Sequence, residues 1–331
     1  MIAFCDFHHG GMYHAMDLLF ARRLGYDLYR PIGYEWLEGF WRVSDLFPTQ
    51  KAYLEPGGEH WLGIDGFWYW VDHGAELTHK CMTFQQFCDM DVDLIISTHP
   101  GHEICYRELH RKHKPKAKLI RVCGNTGETI QPGMGGNIMD STGAFKGQAQ
   151  NYVTFHQEFP LEPFKDILPP EEIVVSQYLN FFRNTTTFHV WQAYKPHLED
   201  FGWRMYGHQG DDGFLWPFSK LAETMMASSF IWHVKIEGYG HCVHNAFAAS
   251  RPVITRIKDY VGKPAGDILK DGETCIDIGE GNVPDNVAKI RHYAQRDELL
   301  RLCANVRERF SRVVDFDAEE LEIRKFIDRL I

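Results

Sequence analysis

The chain alternates between segments with the pattern of a buried strand and segments with the pattern of an amphipathic helix. Residues 1–7, MIAFCDF, are typical of a buried strand, and after the turn HHGG apolar residues recur at helical spacing over 12–20. Gly25 ends the helix pattern, and residues 26–33, YDLYRPIG, predict a second strand. A strand, a glycine turn, a helix and another strand open a doubly wound parallel sheet, which predicts an α/β fold.

Four prolines in PLEPFKDILPPEE, residues 160–172, predict a linker between two domains. The strand and helix patterns start again after it, and a length of 331 residues also favours two domains. We expect a first domain over 1–165 and a second over 170–312. Residues 31–90 depart from the alternation and predict an aromatic-rich insertion. The glycine-rich residues 131–148 predict an irregular, mobile loop.

Composition argues against several classes of protein. The net charge of −10 is unusual for a nucleic-acid binder, although HRKHKPKAK, residues 110–118, is a local basic run. The eight cysteines are scattered and form no CxxC pair, which is typical of a reducing cytoplasm. The first residues lack a signal-peptide pattern, and no apolar run reaches the roughly 18 residues of a membrane span. We therefore expect a cytoplasmic protein with no membrane insertion and no disulfide framework.

Residues 236–254, IEGYGHCVHNAFAASRPVI, place a carboxylate, a glycine turn and a helix start within ten residues. From Gly240 onward, apolar and small residues share one face of a helix, and His241 and Asn245 are expected to point away from it. The N–H groups of a helix start suit an anionic ligand such as a diphosphate. Glu237 and Asn245 can exchange hydrogen bonds with hydroxyl groups. The stretch therefore predicts a site for a nucleotide-sugar.

The full run resembles the donor-site signature of GT-B glycosyltransferases, in particular glycosyltransferase family 4. That pattern is Glu-Gly-aromatic-Gly, a small-residue helix and then Pro-Val-Ile, which stand here at 237–240, 246–250 and 252–254. The resemblance implies a GT-B fold of two Rossmann-like doubly wound domains facing across a cleft, with a C-terminal helix, 313–331, returning to the first domain. It also implies a nucleotide-sugar as co-substrate, most often a UDP-sugar, with no tightly bound cofactor.

The resemblance also implies which residues contact the donor. Arg183 in SQYLNFFRNTTTF matches a cationic residue that clamps the diphosphate, and residues 185–187 would cap the next helix. A lysine common in the family is missing, so Lys235 or another residue not identified from the sequence is expected to share the charge. Asn245 stands where the family has a second Glu, and it can bond a diol only without charge assistance. The expected donor contacts are Arg183, Lys235, Glu237, Gly238, Tyr239, Gly240, His241 and Asn245, with Gly10 and Gly11 of the first domain.

Polar residues follow two predicted strands of the first domain at their carboxyl ends, where open α/β sheets place their sites. These are the candidate catalytic residues, Asp6, His8, His9 and His99. An inverting transferase needs a general base near the acceptor hydroxyl, which a His or a carboxylate can supply. A retaining transferase relies on positioning and on stabilising the departing diphosphate. Both outcomes remain open. No acidic pair or Cys/His set predicts a metal site.

The acceptor is suggested by a second resemblance. The N-terminal residues 5–36 look like glycosyltransferases encoded by tailed bacteriophages, and RNTTTF is faintly similar to a phage DNA glucosyltransferase. We therefore expect a hydroxymethylated pyrimidine in duplex DNA, flipped out of the helix and held by aromatic side chains. The expected acceptor contacts are Trp36, Trp41, Trp68, Trp70, Glu103, Arg111, Lys112 and Lys114.

Other functions are compatible with the same residues. A polysaccharide, a lipid-linked sugar or a protein could replace DNA as the acceptor, because fold alone does not choose among them. A nucleotide-sugar epimerase of the same fold would release UDP without an acceptor. A sugar-binding module without catalysis is the third alternative.

Overall fold

The computed structural model describes residues 1–6, 10–33, 36, 61–72, 77–99, 103–134, 136–235 and 239–331. The chain forms two compact units, one made of Met1–Phe159 with Phe316–Ile331 and the other of Pro160–Asp315. Each unit contains its own sheet and its own buried apolar core. Within the described ranges, no helix combines the length and apolar character needed to cross a bilayer.

Nine strands of the described residues form the sheet of the first unit, in the order β3-β4-β5-β2-β1-β6-β7-β8-β9. Their bounds are β1 Ile2–Cys5, β2 Asp27–Pro31, β3 Trp61–Ile64, β4 Phe67–Asp72, β5 Leu77–Met82, β6 Leu94–Ser97, β7 Lys118–Cys123, β8 Asn137–Asp140 and β9 Asn151–Thr154. The seven neighbouring strands β5-β2-β1-β6-β7-β8-β9 are parallel. Strands β3 and β4 form an antiparallel hairpin at one edge, where β4 also pairs antiparallel with β5. Residues 61–72 and 77–82 of the expected insertion thus extend the main sheet.

Helices cover both faces of this sheet. The described helices begin with α1 Gly10–Met16, which continues as a π-helical stretch, Asp17–Arg23, and include α2 Phe84–Asp89 and α3 Glu103–His113. Met12, Met16 and Leu19 pack with Ala3 and Cys5 of β1, as the helical spacing predicts. Because parallel strands at the centre of a sheet are buried on both faces, β1 and β6 are apolar over almost their whole length.

Strand β8 corrects the expectation of an irregular loop over 131–148. Asn137–Asp140 pairs in parallel with β7 and β9, and Ile138 and Met139 are fully buried on opposite faces of the sheet. Two apolar residues between glycines are too short a pattern to identify from sequence. Burial between neighbouring strands determines their conformation.

The second unit is a smaller parallel sheet in the order β11-β10-β12-β13-β14. Its strands are β10 Val174–Gln177, β11 Gly202–Met205, β12 Phe230–Trp232, β13 Val253–Thr255 and β14 Cys275–Asp277. Its described helices are α4 Phe188–Tyr194, α5 Phe218–Met226, α6 His241–Ala248, α7 Pro264–Ile268, α8 Val283–Tyr293 and α9 Arg296–Val313. This strand order is a common doubly wound arrangement.

The last helix, α10 Phe316–Asp328, belongs to the first unit. Ile323, Phe326 and Ile327 are buried in the same core as β1 and α1. The Arg23 guanidinium bonds both Glu158, at 2.7 Å, and Asp317, at 2.5 Å. Apolar burial and these ion pairs together fasten the C-terminal helix to the N-terminal sheet.

Candidate functional site

Strand β10 is the point at which strand order reverses in the second sheet, because β11 lies on one side of it and β12 on the other. In open parallel sheets, ligands bind outside the carboxyl ends of the strands at such a point. The segments that leave β10 and β12 there are residues 178–187 and, as far as they are described, 233–235 and 239–240. They contain the expected donor contacts Arg183, Lys235, Tyr239 and Gly240.

Helix α6 begins after Gly240, whose backbone is left-handed with a φ of 88°. A Cβ here would lie 2.8 Å from the Cβ of Ala265, so the position requires glycine. The Gly240 carbonyl accepts the backbone N–H of Val243 at 2.8 Å and lies 3.0 Å from Nδ1 of His244. The buried Tyr239 ring stacks on the His244 ring with centroids 4.5 Å apart. These contacts fix the helix start, where N–H groups suit an anion.

Asn245 is expected from the sequence to point away from the apolar face of the helix, but its side chain is buried. It is 3% exposed, and within the described part of the chain its Oδ1 has no hydrogen-bond partner. His241 is half-buried. A buried amide oxygen without a partner costs about 1–3 kcal/mol, which a donating hydroxyl of a ligand would offset. Helix α6 packs on neighbours around most of its circumference, and sequence spacing alone does not reveal this.

Arg183 lies in a 3-10 turn, Phe182–Asn184, that follows β10. Its guanidinium pairs with Asp211 and lies 5.8 Å from the centre of the Phe188 ring. Thr187 stands at the N-cap position of α4 but does not make the capping bond that the sequence predicts. Its hydroxyl instead donates to the Val234 carbonyl at 2.7 Å. This bond ties the Arg183 segment to the segment that carries Lys235. The ends of β10 and β12 are thereby joined.

Sequence reasoning missed His233, which directly follows β12. Its ring is buried, and among the described residues Nδ1 has no hydrogen-bond partner. Burial, and secondarily the charge of Lys235, lowers the pKa of His233 to about 3. The imidazole is therefore neutral at physiological pH. A histidine within the apolar run FIWHV is the signal that could have identified it.

In the first unit, β1 and β6 are neighbours at the corresponding reversal of strand order. Asp6 follows β1 and is buried. Its carboxylate accepts the backbone N–H of Thr98 at 2.8 Å and that of His99 at 3.2 Å, as well as the Thr98 hydroxyl. The structure thus brings Asp6 and His99 together, and Asp6 serves to hold the loop that carries His99.

Glu103 does not lie where it could contact an acceptor, although the sequence predicts such a contact. It is fully buried at the start of α3, where one oxygen accepts from the Arg121 guanidinium and the other from the backbone N–H of Gln131. Arg121 also pairs with the partly buried Glu128. A carboxylate so enclosed is a structural ion-pair partner and cannot reach an acceptor.

The basic run 110–118 lies at the opposite ends of the strands from Asp6 and His99. Helix α3 starts after the carboxyl end of β6 and runs back to the amino end of β7, so its last turn and the following loop lie at the amino ends. Lys114 donates to the carbonyls of Cys88 and Met90, at 2.7 and 2.5 Å. Arg111 and Lys112 are exposed, and both pair with Glu108. The expected phosphate contacts therefore do not adjoin the candidate catalytic residues.

The expected aromatic contacts separate into different environments. Trp36 is buried, stacks on Phe4 with centroids 4.8 Å apart and donates from Nε1 to the Met82 carbonyl, so it is a core residue. Trp68 and Trp70 lie on β4, where Trp68 is partly exposed and Trp70 packs on Trp61 at 5.0 Å. A tryptophan-rich sequence does not reveal which of its rings are buried in the core.

Several expected site residues lie outside the described ranges, namely His8, His9, Trp41, Glu237 and Gly238. Gly10 and Gly11 begin α1 in the first unit. No three His, Cys, Asp or Glu side chains of the described residues are grouped so that they could hold a metal ion.

No protein-family model and no curated protein matches the sequence. Solved structures do match over the whole chain. HepE of Anabaena in complex with UDP is 9% identical with a TM-score of 0.64, covering 99% of this chain and 100% of that one. Sucrose-phosphate synthase of Thermosynechococcus elongatus is 11% identical with a TM-score of 0.67, covering 100% and 99%.

A third similar structure is the pneumococcal O-GlcNAc transferase GtfA in complex with UDP and GlcNAc. It is 9% identical with a TM-score of 0.64, covering 100% of this chain and 99% of that one. At such identities the likeness concerns the arrangement of strands and helices. The prediction of an α/β GT-B fold is thereby confirmed, and this chain has the fold of these glycosyltransferases.

Proposed function

We propose that the protein is a glycosyltransferase that moves a sugar from a nucleotide-sugar to an acceptor hydroxyl. The observation that carries this proposal is the hydrogen bond from Thr187 to the Val234 carbonyl, which joins the Arg183 segment to the segment after β12 at the carboxyl ends of β10 and β12; helix α6 begins a few residues further along the chain. A guanidinium and helix N–H groups together complement a diphosphate. Similar proteins were solved with UDP or UDP-glucose, which supports a UDP-sugar as the donor.

We assign the donor to the second unit and the acceptor to the first. As the bond from the anomeric carbon to the diphosphate breaks, negative charge develops on the leaving phosphate. Arg183 and the N–H groups at the start of α6 stabilise that charge. Glu237 and Gly238, outside the described residues, remain donor contacts proposed from sequence. In the buried environment of Asn245, its Oδ1 would accept a hydroxyl of the donor.

On the acceptor side, His99 is the described residue best suited to act as general base. Asp6 is a positioning residue, because its carboxylate holds the backbone of Thr98 and His99. For an inverting reaction, the imidazole takes the proton of the acceptor hydroxyl while that oxygen attacks the anomeric carbon and UDP leaves. A retaining reaction uses the same leaving-group contacts without this base.

A hydroxymethylated pyrimidine in DNA remains the first acceptor to test. Its support is the phage-like N-terminal sequence and the partly exposed Trp68. Trp36 and Glu103 are buried, and the Lys114 ammonium bonds two backbone carbonyls, which removes three of the contacts on which this acceptor was based. Glycan, lipid and protein acceptors therefore belong in the same assay.

The test is UDP release from UDP-glucose, UDP-galactose and UDP-N-acetylglucosamine, each with and without an acceptor. Duplex DNA containing 5-hydroxymethylcytosine or 5-hydroxymethyluracil is one acceptor, read by nucleoside mass spectrometry, and common glycans are the others. Arg183→Ala should lower the rate at least about tenfold, equivalent to roughly 1.4 kcal/mol of transition-state stabilisation. Arg291→Ala is the matched control, because Arg183 and Arg291 are both 44% exposed and paired with an aspartate.

Each alternative function has its own result in this assay. UDP release without any acceptor would indicate the epimerase, and donor binding without turnover would indicate the sugar-binding module. Equal rates for Arg183→Ala and the wild type would refute the assignment of the diphosphate site.

A further inference from the structure

Three aromatic rings form a stack on the surface of the second unit. The His208 ring stacks on Phe214 with centroids 4.2 Å apart and planes 11° apart, and on Phe181 at 5.6 Å and 22°. Phe181 is 49% exposed and Phe214 is 52% exposed. Trp216, two residues after Phe214, is 56% exposed. Core packing does not explain rings that keep half of their surface in water.

The three-ring stack is built from two interlocked loops. Phe181 lies on the loop after β10, and His208 lies on the loop after β11, which continues to Phe214. The backbone N–H of Phe181 donates to the His208 carbonyl at 2.8 Å, and that of His208 donates to the Asn180 side chain at 2.9 Å. Phe181 adopts a left-handed backbone with a φ of 54°, which is unfavourable for a residue with a side chain. The loop contacts compensate for this conformation and fix the ring in place.

The same two loops carry the cation assigned to the diphosphate. Arg183 is two residues after Phe181, and its ion-pair partner Asp211 lies between His208 and Phe214. Both loops leave the carboxyl ends of neighbouring parallel strands. A flat apolar ring surface beside a guanidinium has the chemistry that a nucleotide needs, since the base stacks on the rings and the phosphate bonds the cation.

We propose that the three-ring stack is the platform on which the nucleobase of the donor stacks. This inference rests on the proposed function, because it assigns the base to the site that takes the diphosphate. Stacking on a ring face accepts any base, so selectivity among bases would come from other contacts. Phe214 is 52% exposed, and its ring is the part of the platform that the base would cover.

Calorimetry with UDP and with inorganic pyrophosphate separates base stacking from phosphate binding. Phe214→Leu keeps an apolar side chain and removes the ring, whereas Phe214→Tyr keeps the ring. Phe214→Leu should weaken UDP binding by on the order of five- to a hundredfold and leave pyrophosphate binding unchanged. Phe214→Tyr should bind both as the wild type does. Arg183→Ala should weaken both ligands.

Unchanged UDP affinity in Phe214→Leu would overturn the platform while leaving the proposed function intact. An equal loss for UDP and pyrophosphate would also overturn it, because the ring would then only support the Arg183 loop. A rise in the KM of the acceptor with unchanged UDP affinity would assign the stack to an acceptor ring instead. A wild-type protein that binds neither UDP nor any nucleotide-sugar would refute the proposed function itself.

Discussion

Gly240 shows how much one residue can depend on contacts far away in sequence. The glycine turn is visible in the sequence, but the reason for glycine is tertiary. A side chain at this left-handed position would meet Ala265 at 2.8 Å and Tyr260 at 3.2 Å. The turn therefore has to satisfy both a backbone conformation and a close approach of the segment 260–265.

Gly240→Ala should lower the free energy of unfolding by about 2–4 kcal/mol, because left-handed strain and overpacking add. Gly262→Ala is the control: it has a similar φ of 75°, but a Cβ there would meet no atom within 4 Å. It should cost only about 1–2 kcal/mol. Urea unfolding of both variants measures the difference. Equal losses would show that close approach does not decide the residue at 240.

At the scale of elements, a buried ion-pair network attaches the start of α3 to the sheet. Arg121 on β7 pairs with Glu103 of α3 and with Glu128 of the following loop, and Glu128 also accepts the N–H of Gly124 at 3.1 Å. Burial raises the pKa of Glu128 against the opposing effect of Arg121. The network lies between the loops that carry His99 and Gln131, so it helps shape the candidate acceptor side.

Arg121→Met should destabilise the protein by about 3–5 kcal/mol, because it leaves two carboxylates in a buried environment without their partner. Arg111→Met removes an exposed pair on the same α3 helix and should leave the free energy of unfolding nearly unchanged, because solvent screens that pair. Denaturant unfolding with both variants tests the comparison. A loss below about 1 kcal/mol for Arg121→Met would contradict a structural role for the network.

At the scale of the whole molecule, each unit encloses a histidine that burial keeps neutral. In the first unit, burial lowers the pKa of His79 to about 4, although Asp17 at 3.2 Å from its Nδ1 opposes the shift. In the second unit, His233 has its pKa lowered to about 3. Both units therefore become less stable as the unfolded chain begins to take up protons.

The unfolded chain binds a proton at these histidines below a pH of about 6.5, whereas the folded chain does so only near pH 3 to 4. Stability should thus fall as pH decreases from about 6.5 to 4, by up to about 1.4 kcal/mol per pH unit for each histidine. His233→Gln should remove the contribution of one histidine to this pH dependence of the unfolding free energy. Unfolding free energies of wild type and variant over pH 7.5 to 4.5 test this, and parallel profiles would contradict it.

Local sequence was sufficient for the features that depend on spacing. Alternating strand and helix patterns predicted the α/β class, and the stretch from 236 to 254 predicted a helix start after a glycine turn. The GT-B fold followed from the resemblance of that stretch. These features depend on periodicity and backbone conformation, which neighbouring residues largely determine.

Tertiary structure alone decided which side chains are available to a ligand. Trp36 became core, Glu103 entered an ion-pair network, and Asp6 was engaged by Thr98, 92 residues away in sequence. The direction of α3 placed the basic run at the amino ends of the strands. The stack of Phe181, His208 and Phe214 exists only because two loops interlock. Burial and partnership are properties of long-range contacts, and a residue's type and spacing do not encode them individually.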